Sequence, residues 1–132
     1  MDFITGNTGA DQFVFDQSGA GDYSTVVNFN AAKGDKIALD TAGNATLGTN
    51  AYDLGGAALT DNQNLKAVAD VATRLTVSEA TGGKGGFVYQ QDTGELYYSS
   101  NGNFAGGGTL VGVVDSSSGV PWVYNASSFV QV

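Results

Sequence analysis

The residues whose types and spacing could do chemistry lie near the N-terminus, in Gly6-Asn7-Thr8-Gly9-Ala10-Asp11. Two glycines three positions apart precede an aspartate, and a large apolar residue, Phe13, follows two positions later. Glycines let the backbone turn sharply and present its carbonyl oxygens, while Asp11 adds a charged oxygen. Ca²⁺ takes about six to eight oxygens, so this turn would supply part of a site. The alternative is a plain turn that happens to contain an aspartate.

The residue types that are missing narrow the chemistry further. The 132 residues include no Cys and no His, which excludes thiolate sites, disulfides and the commonest transition-metal ligand and general base. The remaining donors suit Ca²⁺ or Mg²⁺ better than Zn²⁺. Five basic residues against thirteen acidic ones give a net charge of −8. This balance argues against a nucleic-acid partner and is compatible with a cation partner.

Two carboxylate pairs lie close in sequence, Asp35 with Asp40 and Asp92 with Glu95. Asp35 is more simply a turn residue before a strand, and Asp92 lies in a glycine-containing hairpin turn, where aspartate is favoured. Paired catalytic carboxylates need separate environments in one cleft, and nothing in the sequence indicates a cleft. With no G-x-S-x-G motif and no P-loop, we expect no enzymatic activity.

The elements that position these residues are short strands between glycine-rich turns. The chain has 20 glycines, about twice the average share, and one proline. Its length fits a single domain over residues 1–132, and no apolar run is long enough to span a membrane. We predict a mostly β fold. The predicted strands cover residues 13–15, 26–29, 36–39, 87–90, 95–98, 110–114, 122–124 and the terminal stretch 127–132.

Residues 64–80 could form either a helix or strands. Apolar residues at a spacing of three and four favour a helix, whereas the β-branched residues favour a strand. The sequence leaves this choice open, and it also allows a short strand near residues 51–54. The hairpin of residues 87–90 and 95–98, with the turn Gln91-Asp92-Thr93-Gly94, is the clearest element.

The first turn and the strands after it resemble a known family. Gly6-x-x-Gly9-x-Asp11-x-Phe13 is similar to the calcium-binding nonapeptide of repeats-in-toxin (RTX) β-rolls, with Asn7 in place of the second glycine. The segment D-x-F-x-F at residues 11–15, followed by Gly34-Asp35-Lys36-Ile37-Ala38-Leu39, resembles the end of such a roll. Residues 87–102 resemble the hairpin near the C-terminus of these secreted proteins. The resemblance covers about residues 4–40 and 87–132.

The resemblance implies the C-terminal domain of a bacterial protein exported by type I secretion, of the hemolysin-type or serralysin C-terminal kind. Residues 4–40 would be the last roll repeat and its capping strands, and residues 87–132 would hold the hairpin and the uncleaved export signal. This implies a longer chain with an upstream cargo domain, a secreted or cell-surface location, and Ca²⁺ as the bound ion. The implied ligands are Asp11, the carbonyls of Gly6, Thr8 and Gly9, then Asp22 from the partial echo Gly19-Ala20-Gly21-Asp22, and Asp35.

Expected family acids are missing at three places, where Asn28, Ser99 and Asn101 stand. Fewer carboxylates mean weak calcium affinity, in the range of about 10⁻⁴–10⁻³ M that extracellular modules show. The fold that we predict is therefore a short β-roll remnant followed by an antiparallel sheet or sandwich, with one possible short helix.

The aromatic residues of the last third of the chain support an alternative function. Tyr97 and Tyr98 face opposite sides of a hairpin strand, so one of them could be exposed and stack on a sugar ring, together with Trp122. The competing interpretation is that these rings fill a small β core. A polysaccharide-binding or adhesive module is the alternative function, and a flat exposed face that contains these three rings would favour it.

Overall fold

A computed structural model describes residues 2–16, 21, 23–41, 52–78, 84–117 and 119–132. In this part of the chain short strands dominate, with one helical turn and two 3₁₀ turns. The strands are β1 (Asp2–Thr5), β2 (Gln12–Phe15), β3 (Ser24–Val27), β4 (Lys36–Leu39), β5 (Leu65–Val68), β6 (Gly86–Gln90), β7 (Glu95–Ser99), β8 (Thr109–Ser117), β9 (Val120–Pro121) and β10 (Phe129–Gln131). The helix α1 spans Val71–Arg74, and the 3₁₀ turns span Ala31–Lys33 and Ala126–Ser128.

The first four strands alternate between two sheets, and β8 and β10 add one strand to each sheet, so that the six strands form three coils of a parallel β-roll. In one sheet β1, β3 and β8 lie side by side and run parallel; in the other sheet β2, β4 and β10 do the same. The coils are therefore β1–β2, β3–β4 and β8–β10. The third coil uses strands that lie far along the chain, so residues 40–108 form an insertion between the second and third coils.

The core lies between the two sheets and follows from the alternation of side chains along each strand. In β2 the phenylalanines Phe13 and Phe15 are buried, while Gln12 and Val14 face outward. Successive residues of a strand point to opposite faces, so D-x-F-x-F places both rings inside. In β8, Gly112 provides space for the Phe15 ring, because a Cβ at this position would collide with it.

The insertion extends the first sheet and adds a second, small core. β7 pairs antiparallel with β8, β6 pairs antiparallel with β7, and β5 pairs parallel with β6. The small core contains Val68, Val88 and Phe104. The guanidinium of Arg74, at the end of α1, is buried there: it donates to Gln90 and to the Gly107 carbonyl, and its carbon lies 3.7 Å from the Tyr97 ring centroid.

The two ends of the roll differ. At the end that we call the closed end, β7, β6 and β5 continue one sheet, and residues 57–59 contact the last strand of the other. The Gln131 side chain accepts from the Leu59 N–H at 2.8 Å and donates to the Thr41 hydroxyl at 3.1 Å. At the open end, β1 and β2 are the edge strands of their sheets, and no described residue pairs with their outer sides.

The mostly β fold with one short helix is confirmed. The antiparallel arrangement expected for the second part is confined to the pairings among β6, β7, β8 and β9, and the other strand pairs are parallel. Two further pairs of strands, β3–β4 and β8–β10, stack on the coil that contains Asp11.

The structure decides four local predictions. The region 64–80 contains both elements, because strand β5 is followed by the short helix α1, which Asp70 caps by accepting the Thr73 N–H. Residues 52–54 form no strand, and the strand predicted at 122–124 is replaced by the two-residue strand β9 just before it. The terminal strand is confirmed in shorter form as β10, after a 3₁₀ turn over residues 126–128.

Candidate metal site at the first turn

The turns that enter β2 and β4 lie one above the other on successive coils. The register of these strands pairs Gln12 with Lys36, a spacing of 24 residues. Asp11 immediately precedes Gln12, and Asp35 immediately precedes Lys36, so the two aspartates occupy equivalent positions on successive coils. The Asp11 carbonyl accepts the Lys36 N–H at 2.8 Å, which holds the two turns together.

Asp35 is 1% exposed, and both of its carboxylate oxygens accept backbone hydrogen bonds. Oδ1 accepts the Asp11 N–H of the preceding coil at 3.0 Å, and Oδ2 accepts the Asn30 N–H of its own turn at 2.9 Å. A charged acceptor makes stronger hydrogen bonds than a neutral one. In the structure Asp35 therefore connects two coils through their backbones.

The Asp11 carboxylate has a different environment. Its Oδ2 atom is buried and has no hydrogen-bond partner, although the residue as a whole is partly exposed. The carboxylate lies directly against Gly6, where a Cβ would collide with Oδ2. Gly9 has a φ of 100°, which favours glycine. Both glycines of the motif are thus explained by the turn, and the turn holds a buried carboxylate oxygen with no hydrogen-bond donor among the described residues.

The rest of the turn supplies limited additional ligand capacity. Thr8 and Gly9 are exposed, while Gly6 is half-buried. The Asn7 carbonyl accepts from the Lys33 ammonium at 3.1 Å, which places a positive charge in this turn. Within the described ranges no three carboxylates come together. Asp22 lies outside the described residues. An ion at Asp11 would therefore depend on this one carboxylate and on backbone carbonyls.

Lys33 and Asn30 are the residues of this region that sequence reasoning missed. Asn30 caps the 3₁₀ turn by accepting the Lys33 N–H at 3.3 Å, and its own N–H binds Asp35. A shared strand pattern in the sequence could have identified Asn30 and Lys33. Aligning D-Q-F-V-F at residues 11–15 with D-K-I-A-L at residues 35–39 also aligns the turns that precede the two strands, and both residues lie in the second of these turns.

The other carboxylates considered above have structural partners. Asp92 accepts from the Gln90 side chain at 2.8 Å, and Glu95 accepts from the Tyr97 hydroxyl at 2.9 Å. Asp40 is buried at the end of β4, where its carbonyl accepts the Tyr52 N–H at 2.9 Å. These contacts support turns and strand ends.

The three aromatic residues of the alternative function do not form one exposed face. Trp122 is 5% exposed and Tyr98 is 8% exposed, and both belong to the main core. The Tyr98 hydroxyl donates to the Asp53 carbonyl at 2.8 Å. Tyr97 lies on the other side of β7 beneath Arg74, where burial and then the Glu95 hydrogen bond raise its pKa to about 12. The core interpretation of Tyr98 and Trp122 is confirmed.

Comparisons with protein-family models, with curated proteins and with solved structures gave no match. Among the described residues, no helix has the length and apolar character needed to cross a membrane. The functional argument therefore rests on the geometry of the coils and of the turn at Asp11.

Proposed function

We propose that this chain is a non-catalytic, calcium-assisted module that terminates a parallel β-roll in a secreted bacterial protein. The observation that carries the proposal is the difference between the two ends of the roll. At the closed end the hairpin continues one sheet, and the Gln131 side chain of the other sheet's edge strand, β10, binds residues 57–59; at the open end β1 and β2 are both edge strands with no partner on their outer sides among the described residues. Unpaired edges invite pairing with further strands. An arrangement of this kind suits a unit that ends a stack of coils.

Calcium enters the proposal through Asp11. A buried carboxylate oxygen without a hydrogen bond is costly, and a cation relieves that cost. The donors of this turn are oxygens, as Ca²⁺ prefers, and the carbonyls of Gly6, Thr8 and Gly9 are the other proposed ligands. With a single carboxylate, and with Lys33 nearby, we expect a dissociation constant of about 10⁻³ M, at the weak end of extracellular modules.

The proposed export route is type I secretion, which rests on the family resemblance alone. The position of the C-terminus is compatible with a signal that is read before the chain folds. Phe129 is buried, and the Val132 N–H donates to the Leu39 carbonyl at 2.9 Å, which joins the third coil to the second. In the proposal, scarce cytosolic calcium leaves the roll less stable and the C-terminus accessible, and external calcium stabilises the folded roll by linkage.

The test is thermal unfolding of the chain in EDTA, in 10 mM CaCl₂ and in 10 mM MgCl₂. A dissociation constant of about 1 mM predicts about 1.4 kcal/mol of stabilisation by 10 mM calcium, or a rise in the unfolding midpoint of about 4 °C. The rise should disappear in Asp11→Asn, because the neutral amide binds Ca²⁺ weakly. It should persist in Asp92→Asn, a control that removes the same charge from the exposed hairpin turn.

An unchanged midpoint of the parent chain at 10 mM calcium would contradict the calcium part of the proposal. An equal loss of the calcium effect in both aspartate variants would assign the effect to net charge rather than to the first turn. Magnesium controls for ionic strength, since Mg²⁺ requires a tighter octahedral shell than this turn offers.

A further inference from the structure

The open end of the roll is an incomplete copy of an interface that occurs inside the molecule. The first coil docks on the second through two parallel strand pairs, β1 with β3 and β2 with β4. Between them, the Asp11 N–H donates to the Asp35 carboxylate, 3.0 Å away. One coil earlier, Asp11 has the position of Asp35 and is partly exposed, and β1 and β2 are edges. Its Oδ2 is buried against Gly6 of its own turn, so Oδ1 is the oxygen that a further coil would meet.

We infer that the open end binds one more parallel strand–turn–strand coil, and that the Asp11 carboxylate accepts a backbone N–H from its turn. This inference rests on the proposed function and names the chemistry of the partner. The donor is the backbone N–H of the residue that lies above Asp11 in the further coil. It corresponds to the Asp11 N–H, which donates to the Asp35 carboxylate of the coil below. A carboxylate has about four lone-pair sites, so this bond leaves capacity for a cation.

The interface between the first and second coils also limits the size of the residues in the turn of a further coil. A Cβ at Gly34 would lie 3.2 Å from the Cβ of Ala10, the equivalent residue of the coil above. Such a separation is tighter than ordinary van der Waals contact, so the two turns approach closely only with small residues. The coil that docks on Ala10 therefore fits best with glycine at the position above it, and the probe below carries Ala10→Gly in its added copy.

The chain itself provides the probe, because the register defines the length of one coil. Asp2 pairs with Ser24 at a spacing of 22 residues, and Gln12 pairs with Lys36 at 24, because the connection between β3 and β4 is two residues longer than that between β1 and β2. A second copy of residues 2–23 inserted before Asp2 repeats the shorter connection, so both of its strands lie 22 residues before β1 and β2. The extended protein keeps the complete original chain. It is compared with the parent chain by hydrogen exchange of the backbone amides of the original β1 and β2, in EDTA throughout.

We expect the added coil to slow the exchange of the outward-facing β1 and β2 amides at least about tenfold, since they gain strand partners. Asp11→Ala in the original copy should remove most of that protection. The same substitution in the added copy is the matched control, because the added Asp11 contributes its N–H and not its carboxylate. That control should keep the protection.

Unchanged exchange of β1 and β2 after the extension would overturn the docking of a further coil. Equal protection in the two Asp11→Ala variants, whether retained or lost, would overturn the acceptor role of the original Asp11. Because EDTA is present throughout, these results are separate from the calcium effect on the unextended chain. A calcium-dependent midpoint without docking would leave the proposed function in place and remove only this inference.

Discussion

Asp11 and Asp35 show how the position of a residue in the roll determines what its side chain does. Both aspartates precede the same strand position on successive coils, and both lie in turns that contain a glycine with positive φ. Asp35 has a coil above it and is saturated by two N–H groups. Asp11 has an open edge above it, and its Oδ2, buried against Gly6 of its own turn, has no hydrogen-bond donor among the described residues. Asp35 differs in two ways: the neighbouring coil supplies one N–H, and its own turn supplies the other through Asn30.

Replacing Asp35 with asparagine should destabilise the chain by about 2–3 kcal/mol. The amide has an NH₂ group in place of one carboxylate oxygen, so one of the two backbone donors loses its acceptor, and hydrogen bonds to charged groups contribute about 1.5–3 kcal/mol. Urea unfolding measures the change. The control Asp92→Asn keeps an acceptor for Gln90 at an exposed turn and should change the free energy by less than about 0.5 kcal/mol. Equal effects would refute the connecting role of Asp35.

The buried tyrosines predict a loss of stability in alkaline solution. Burial raises the pKa of Tyr97 to about 12 and also raises the pKa values of Tyr89, Tyr98 and Tyr124. A group whose pKa is higher in the folded state contributes stability that is complete below its unfolded pKa, near 10, and declines as the pH rises toward the folded pKa. Denaturant midpoints should therefore decrease between pH 10 and 12.

Tyr97→Phe is the variant that isolates one of these groups. It should flatten the decline between pH 10 and 12 relative to the parent, because one shifted phenol is gone. It also leaves Glu95 without its donor, so the comparison uses the slope with pH rather than the absolute stability. A slope identical to that of the parent would show that Tyr97 ionises normally.

At the scale of elements, the roll is built from pairs of short strands, and only one coil carries a recognisable motif. Short apolar runs between glycine, asparagine and aspartate residues predict β2, β4 and the hairpin strands. In the structure β2 and β7 alternate between buried and more exposed residues, whereas β6 is buried along its whole length. The stacking of coils follows from parallel hydrogen bonding, which needs no particular side chains.

The third coil could not be predicted from the sequence. β8 and β10 pair with β3 and β4 across an insertion of nearly seventy residues, and neither follows a glycine–aspartate turn. Pairing between strands that lie so far apart in the sequence depends on the side-chain packing and burial that the whole fold provides. A local sequence pattern does not show that packing. The site shows the same limit: the motif identified Asp11 and Gly6, but the saturation of Asp35 depends on Asn30 and on a neighbouring coil.

Gly112→Ala should test the contact between the two sheets. The added methyl would collide with the Phe15 ring, and overpacking of a filled core costs about 1–3 kcal/mol. Gly106→Ala is the matched control, because a Cβ there meets nothing within 4 Å. Urea unfolding should show a lower midpoint for Gly112→Ala and little change for Gly106→Ala. Equal midpoints would mean that β8 and β2 do not pack as described.

At the scale of the whole molecule, the asymmetry of the roll is the property from which the proposed function follows. Sequence-distant segments cooperate at the closed end, where Gln131 contacts residues 57–59 and Tyr98 binds Asp53. At the open end the backbone of β1 and β2 is presented together with the Asp11 carboxylate. A module with two closed ends would not continue a roll, and one with two open ends would not terminate it.

Hydrogen exchange of the parent chain, followed amide by amide, tests this asymmetry most directly. We predict slow exchange in β3, β4 and β8, which lie between other strands, and fast exchange of the outward-facing amides of β1 and β2. The amides of β7 and β8, which continue one sheet at the closed end, should exchange more slowly than those of β1, the edge strand of the same sheet at the open end. The Leu59 amide should also be protected by its bond to the Gln131 side chain. Equal exchange in β1 and β8, or an unprotected Leu59 amide, would contradict the proposal that this chain closes one end of a β-roll and leaves the other open.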